Sequence, residues 1–157
     1  MKLWPGSVRI LLDTNILISG MMRRDTPPGQ LVDLWIEGFF EIVTGEAQLE
    51  ELRRVLQRPS IAERVRAERA ERVLELLASA AQETRSGPSV EIDVSPDPDD
   101  NPIIAIAISG RADLIVSGDK PGMLALHEVQ GISMVMAREA VGLFERRADL
   151  SEEDHGR

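Results

Sequence analysis

The sequence predicts an α/β fold built around a largely parallel sheet. Two observations carry this. Short apolar runs alternate along the chain with segments of helical period, which is the pattern of strands joined by crossover helices. The runs are brief and almost wholly apolar, as strands covered on both faces are. No internal repeat or long linker interrupts the alternation, and the 157 residues suit one domain with its own core. That domain is expected over residues 1–146, followed by a polar, frayed tail over 147–157.

Taken in order, residues 8–12 (VRILL) form the first strand. Asp13, Thr14 and Asn15 start a short helix over 16–22, which Gly20 interrupts. A loop over 23–29 leads to a helix from Pro28 to Glu37, stopped by Gly38. Residues 39–43 (FFEIV) are the next strand. Residues 46–57 are a helix, with Leu49, Leu52, Val55 and Leu56 on one face. Residues 61–82 read as one long helix or two short ones, and 90–94 (VEIDV) as a strand. Pro102 fits the first turn of a helix ending at Ser109 and Gly110. Leu114–Ser117 is a strand, 120–127 a short helix, 132–136 a strand and 137–146 the last helix.

Composition removes several chemistries. There is no cysteine, which excludes disulfides, thiol catalysis and cysteine zinc sites, and two histidines are too few for a histidine-rich metal centre. The formal net charge of −9 disfavours non-specific binding to nucleic acid or membrane. No signal-peptide core and no apolar run of the roughly 18–20 residues that span a bilayer is present. A cytoplasmic protein is expected. Neither a P-loop nor a GxGxxG fingerprint occurs, which argues against a nucleotide site.

Ligands of open α/β sheets bind beyond the carboxyl ends of the strands. Acids at such ends are therefore the candidates. Asp13 follows VRILL, and Asp119 follows LIVSG. Asp97, Asp99 and Asp100 lie in PDPDDNP before the IIAIAIS helix, and Glu50 and Glu51 lie in the 46–57 helix. Alone, Asp13 reads equally as a helix cap, the 97–100 cluster as a solvated turn, and Asp119 as a turn residue. Glu50 points away from the apolar stripe of its helix and Glu51 lies at the stripe's border, so Glu51 is the preferred member of that pair. Jointly, three or four carboxylates without histidine or cysteine make an oxygen-only site suited to Mg²⁺ or Mn²⁺. Such a metal activates water and stabilises an in-line displacement at phosphorus.

The blocks LLDTNILIS, LEEL, DPDDNPIIAIAI and LIVSGD, in that order, resemble the PIN-domain ribonucleases, and within them the VapC-like toxins of toxin–antitoxin pairs. The resemblance covers roughly residues 8–145. It implies a three-layer α/β/α sandwich and Mg²⁺- or Mn²⁺-dependent cleavage of RNA. By position it makes Asp13, Glu51, Asp100 and Asp119 the metal-holding catalytic acids, with Asp97 and Asp99 as substitutes for Asp100. Asn15, Ser117 and Thr14 match supporting positions. Arg23, Arg24 and Arg54 are candidate contacts for RNA, set against a reading as solvated charges. The resemblance also implies a small antitoxin protein as partner, and a homodimer. Met21, Met22 and Phe39 are candidates for an apolar interaction surface, against core packing as the plainer account. The alternative is a catalytically weak or inactive PIN domain that serves as a protein-interaction module.

Overall fold

The computed structural model describes residues 8–83, 101–118 and 126–155, with side chains to residue 146. In chain order the elements are β1 (Arg9–Leu12), α1 (Thr14–Met22), α2 (Pro27–Ile36), β2 (Glu41–Ile42), α3 (Glu46–Leu56), α4 (Pro59–Ala62), α5 (Ala67–Glu83), α6 (Asn101–Ser109), β3 (Leu114–Ser117), β4 (Glu128–Val129), β5 (Ile132–Met136) and α7 (Ala137–His155). The strands form one sheet in the order β2-β1-β3-β5-β4. All pairings are parallel except that of β4 with β5.

Alternation along the strands divides the core into two. Ile10, Leu12, Leu114 and Val116 face one side, where α1, α2, α3, α5 and α7 supply Leu17, Leu31, Leu52, Leu77 and Ala140. Leu11, Ile115 and Met134 face the other, against Ile103, Ile104 and Ala107 of α6. The result is the expected three-layer sandwich around a mostly parallel sheet. The predicted strand at 90–94 lies outside the described residues, as does most of the predicted helix at 120–127.

Four expectations about individual elements change. Gly20 does not interrupt α1, which runs through it. A β-carbon there would stand 2.5 Å from Val32 Cγ2 and 2.7 Å from the Pro28 carbonyl oxygen, so glycine serves the close approach of α2. The strand at 39–43 shrinks to Glu41–Ile42. Phe39 instead belongs to the end of α2: its N–H donates to the Leu34 carbonyl, the Gly38 N–H donates to the Trp35 carbonyl, and Gly38 has φ of +86°. That is a Schellman closure. The last helix does not stop at 146 but continues to His155. Alanine, leucine and glutamate in that segment sustain a helix without an apolar stripe. Finally, β4 was not anticipated. Gln130 and Gly131, both at positive φ, turn it back onto β5 as a two-residue hairpin.

Of the apolar interaction candidates, Met21 is fully buried and Met22 packs half-buried against the core, whereas Phe39 is 57% exposed.

Candidate active site

The site begins with the position of β1. Its N-terminal end is clamped by Arg9, whose backbone N–H donates to the Asp113 carboxylate at 2.8 Å and whose guanidinium reaches the Gly110 carbonyl and Glu41. At the other end the Asp13 N–H donates to the Val116 carbonyl at 2.9 Å, so Asp13 continues the pairing of β1 with β3. The chain then enters α1 directly. Asp13 occupies the N-cap position, yet its side chain makes no cap hydrogen bond. The cap reading therefore does not account for this carboxylate.

Asp13 is 1% exposed. Burying a carboxylate is costly unless charge or hydrogen bonds compensate it. Ser117, at the end of β3 and wholly buried, points its hydroxyl at Asp13 Oδ2, 3.4 Å away. Parallel pairing of Leu12 with Val116 makes these two residues neighbours. Beside Asp13, the buried Thr14 hydroxyl lies 3.4 Å from Glu51 Oε2 on α3. Glu51 itself is solvent-exposed, and Asn15 is exposed on the first turn of α1. Asp13, Thr14, Glu51 and Ser117 are thus gathered at the carboxyl end of the two central strands. Their donor atoms are carboxylate and hydroxyl oxygens, which suits a hard divalent cation. Among the described residues no group of three or more Asp, Glu or His side chains stands ready to hold a metal. Asp97, Asp99, Asp100 and Asp119 lie outside the described residues; in sequence, Asp100 adjoins the buried Asn101 that opens α6, and Asp119 follows Ser117 by two positions.

The arginines are distributed unevenly. Arg54 follows Glu51 by one helical turn and is exposed. Arg23 and Arg24 sit beyond the far end of α1, whose nine residues separate them from Asp13 by about 13 Å at 1.5 Å per residue. Arg23 forms a two-pronged pair with Asp25, and Arg24 lies 3.5 Å from Asp33.

Two features escaped the sequence reading. Gln48 and Thr44 are buried polar residues on the approach to Glu51. Their signal was a polar residue on the apolar stripe of α3, beside Leu49 and Leu52. Arg69, with a side chain 9% exposed, bonds Asp33 at 2.6 Å and the carbonyls of Gly20 and Gly29 at 2.9 and 3.0 Å. It is one of two arginines in α5, with Arg72, and nothing in the sequence marks it.

A family profile described as PIN domain matches residues 9–121. The chain belongs to the PIN-domain family. PIN domains are typically nucleases that use divalent metals. This PIN domain is also similar to an uncharacterized protein of Methanocaldococcus jannaschii, 28% identical over 120 residues that span 76% of each chain. No solved structure matches it. No helix among the described residues is long and apolar enough to cross a membrane.

Proposed function

We propose that this PIN domain is a Mg²⁺- or Mn²⁺-dependent endoribonuclease and the toxin of a toxin–antitoxin pair. The observation that carries the reading is the buried Asp13 carboxylate at the carboxyl end of β1, beside the Ser117 hydroxyl and one residue from the Thr14–Glu51 contact. Asp13 and Glu51, with Asp100 and Asp119, are the residues that would hold the metal, and Asp97 or Asp99 would replace Asp100. Bound among them, the metal supplies Lewis-acid stabilisation of the phosphate and lowers the pKa of water. The chain does the rest. Ser117 orients Asp13, Thr14 holds Glu51 toward the cleft, and Arg54 offers a positive charge to the RNA backbone. His127 takes no part: it is exposed beside β4, at the far edge of the sheet from β1.

The test is cleavage of single-stranded RNA in Mn²⁺ by the wild-type chain and by Asp13→Asn. Cleavage by the wild type alone supports the assignment, and equal cleavage by both overturns it. The toxin role predicts growth arrest on expression, relieved by co-expression of a small antitoxin. Its sedimentation behaviour alone would test for the homodimer. An inert protein that still captures a partner would favour the interaction-module alternative.

A further inference from the structure

Among the described residues, no strand flanks the end of β1 on one side. The Ile10 carbonyl accepts from the Val43 N–H at 2.8 Å, but the register between β1 and β2 ends at Ile10 and Ile42. The Leu12 carbonyl has the same parity as that of Ile10, so it points to the side that β2 has left. Beyond Val43 the chain turns into α3, and no strand donor follows. Gln48 fills the place. Its Nε2 donates to the Leu12 carbonyl at 2.7 Å, and its Oε1 accepts from the Thr44 hydroxyl at 2.6 Å. Gln48 is 3% exposed and Thr44 wholly buried. The orientation of the amide is not arbitrary: a carbonyl can only accept, so nitrogen must face Leu12 and oxygen must face Thr44.

Leu12 immediately precedes Asp13, and Gln48 lies one helical turn before Glu51. One side chain therefore ties the peptide that carries the first acid to the helix that carries the second. We infer that Gln48, oriented by Thr44, is a positioning residue that sets the separation of Asp13 from Glu51. Its effect on catalysis rests on the ribonuclease reading, but its effect on the backbone at Asp13 does not. Supporting residues of this kind change metal affinity or activity by about 10- to 100-fold when removed. Methionine at position 48 matches glutamine in length and removes both polar atoms. Serine at position 44 keeps the hydroxyl, and valine removes it.

The experiment compares the full-length wild type with Gln48→Met, Thr44→Val and Thr44→Ser. Three quantities are read: amide hydrogen exchange over residues 12–17, the Mn²⁺ dissociation constant by calorimetry, and kcat and KM on single-stranded RNA. Gln48→Met should speed exchange over 12–17 while leaving β5 protected. It should also weaken Mn²⁺ binding and lower kcat by about 10-fold each, with KM for RNA changed by less than about twofold. Thr44→Val should move the same quantities in the same direction, and Thr44→Ser should restore them. If Gln48→Met does not fold, the Thr44 pair decides alone. Folded variants with wild-type exchange at 12–17 and an unchanged Mn²⁺ constant overturn the inference. A wild type that neither binds Mn²⁺ nor cuts RNA refutes the ribonuclease reading instead, and hydrogen exchange at 12–17 then decides the positioning role by itself.

Discussion

Ser117 and Asp13 face each other across the boundary of two parallel strands, hydroxyl to carboxylate at 3.4 Å, although 104 residues separate them in the chain. Neither can move independently of the sheet, since Leu12 pairs with Val116 and the Asp13 N–H is bonded to β3. Asp13→Asn keeps the shape of the side chain and removes its charge. It should lower RNA cleavage by at least about 100-fold, as expected when several kcal/mol of charge stabilisation is lost. Circular dichroism should show the fold intact. Ser117→Ala should be milder, costing about 1 kcal/mol of stability and about 10-fold in cleavage.

Glu51 and its neighbour Glu50 separate two readings of α3. Both are exposed, but Glu51 is the one whose carboxylate meets the Thr14 hydroxyl. Glu51→Gln should reduce Mn²⁺-dependent cleavage by about 10-fold or more, whereas Glu50→Gln should leave the rate within about twofold of wild type. Equal losses in the two variants would assign the effect to general surface charge.

Much of this arrangement was legible in the sequence because it rests on local rules. Apolar runs fixed β1, β3 and β5, and the rule that ligands sit at the carboxyl ends of strands singled out Asp13. The helical stripe Leu49, Leu52 and Val55 sets Glu51 at its border, where the carboxylate meets the Thr14 hydroxyl, and Glu50 almost opposite the stripe. What sequence could not give depends on approach between distant segments. Gly20 reads as a helix breaker until α2 is seen crossing it. Phe39 reads as strand until its N–H is seen closing α2. Gln48 reads as an ordinary polar helix residue, because the carbonyl it satisfies belongs to a strand 36 residues earlier. The same strand-end rule picks out Asp119, and the acids at 97–100 stand before a helix start, but all of them lie outside the described residues.

Arg54 and Arg23 should differ as RNA contacts. Arg54 stands one turn beyond Glu51 and is exposed, while Arg23 is engaged by Asp25. The hydrogen bond and charge of Arg23 hold the Asp25 carboxyl below the usual carboxylate range. A lowered folded-state value means the pair is fully formed above the ordinary carboxylate range and is lost only as pH falls through the lower value. At neutral pH Asp25 is therefore ionised and sets an exposed counter-charge beside Arg23. Arg54→Gln should weaken RNA binding and reduce the salt slope by about 0.7, the contribution of a single phosphate on single-stranded RNA. Arg23→Gln should change the slope by less. Fluorescence anisotropy across a salt series reads both, and a larger slope change for Arg23 would reverse the assignment.

Arg69 governs stability rather than chemistry. Its guanidinium joins α5 to Asp33 and to the carbonyls of Gly20 and Gly29, so one buried side chain fastens three helices near the α1–α2 crossing. Removing it leaves the Asp33 carboxylate with the longer contact to Arg24 at 3.5 Å and takes a charged donor from the Gly20 and Gly29 carbonyls. Removing the charged partner from this part-buried hydrogen bond costs about 2–3 kcal/mol, which corresponds to a fall in Tm of about 5–10 °C for a chain of this size. Arg69→Met should show that loss in a thermal melt. Arg69→Lys should recover only part of it, because an ammonium cannot reproduce the planar fork that reaches three acceptors. Below the lowered melting temperature, the Mn²⁺ constant of Arg69→Met should match the wild type, since Arg69 bonds to α1 at Gly20, far from its Asp13 end.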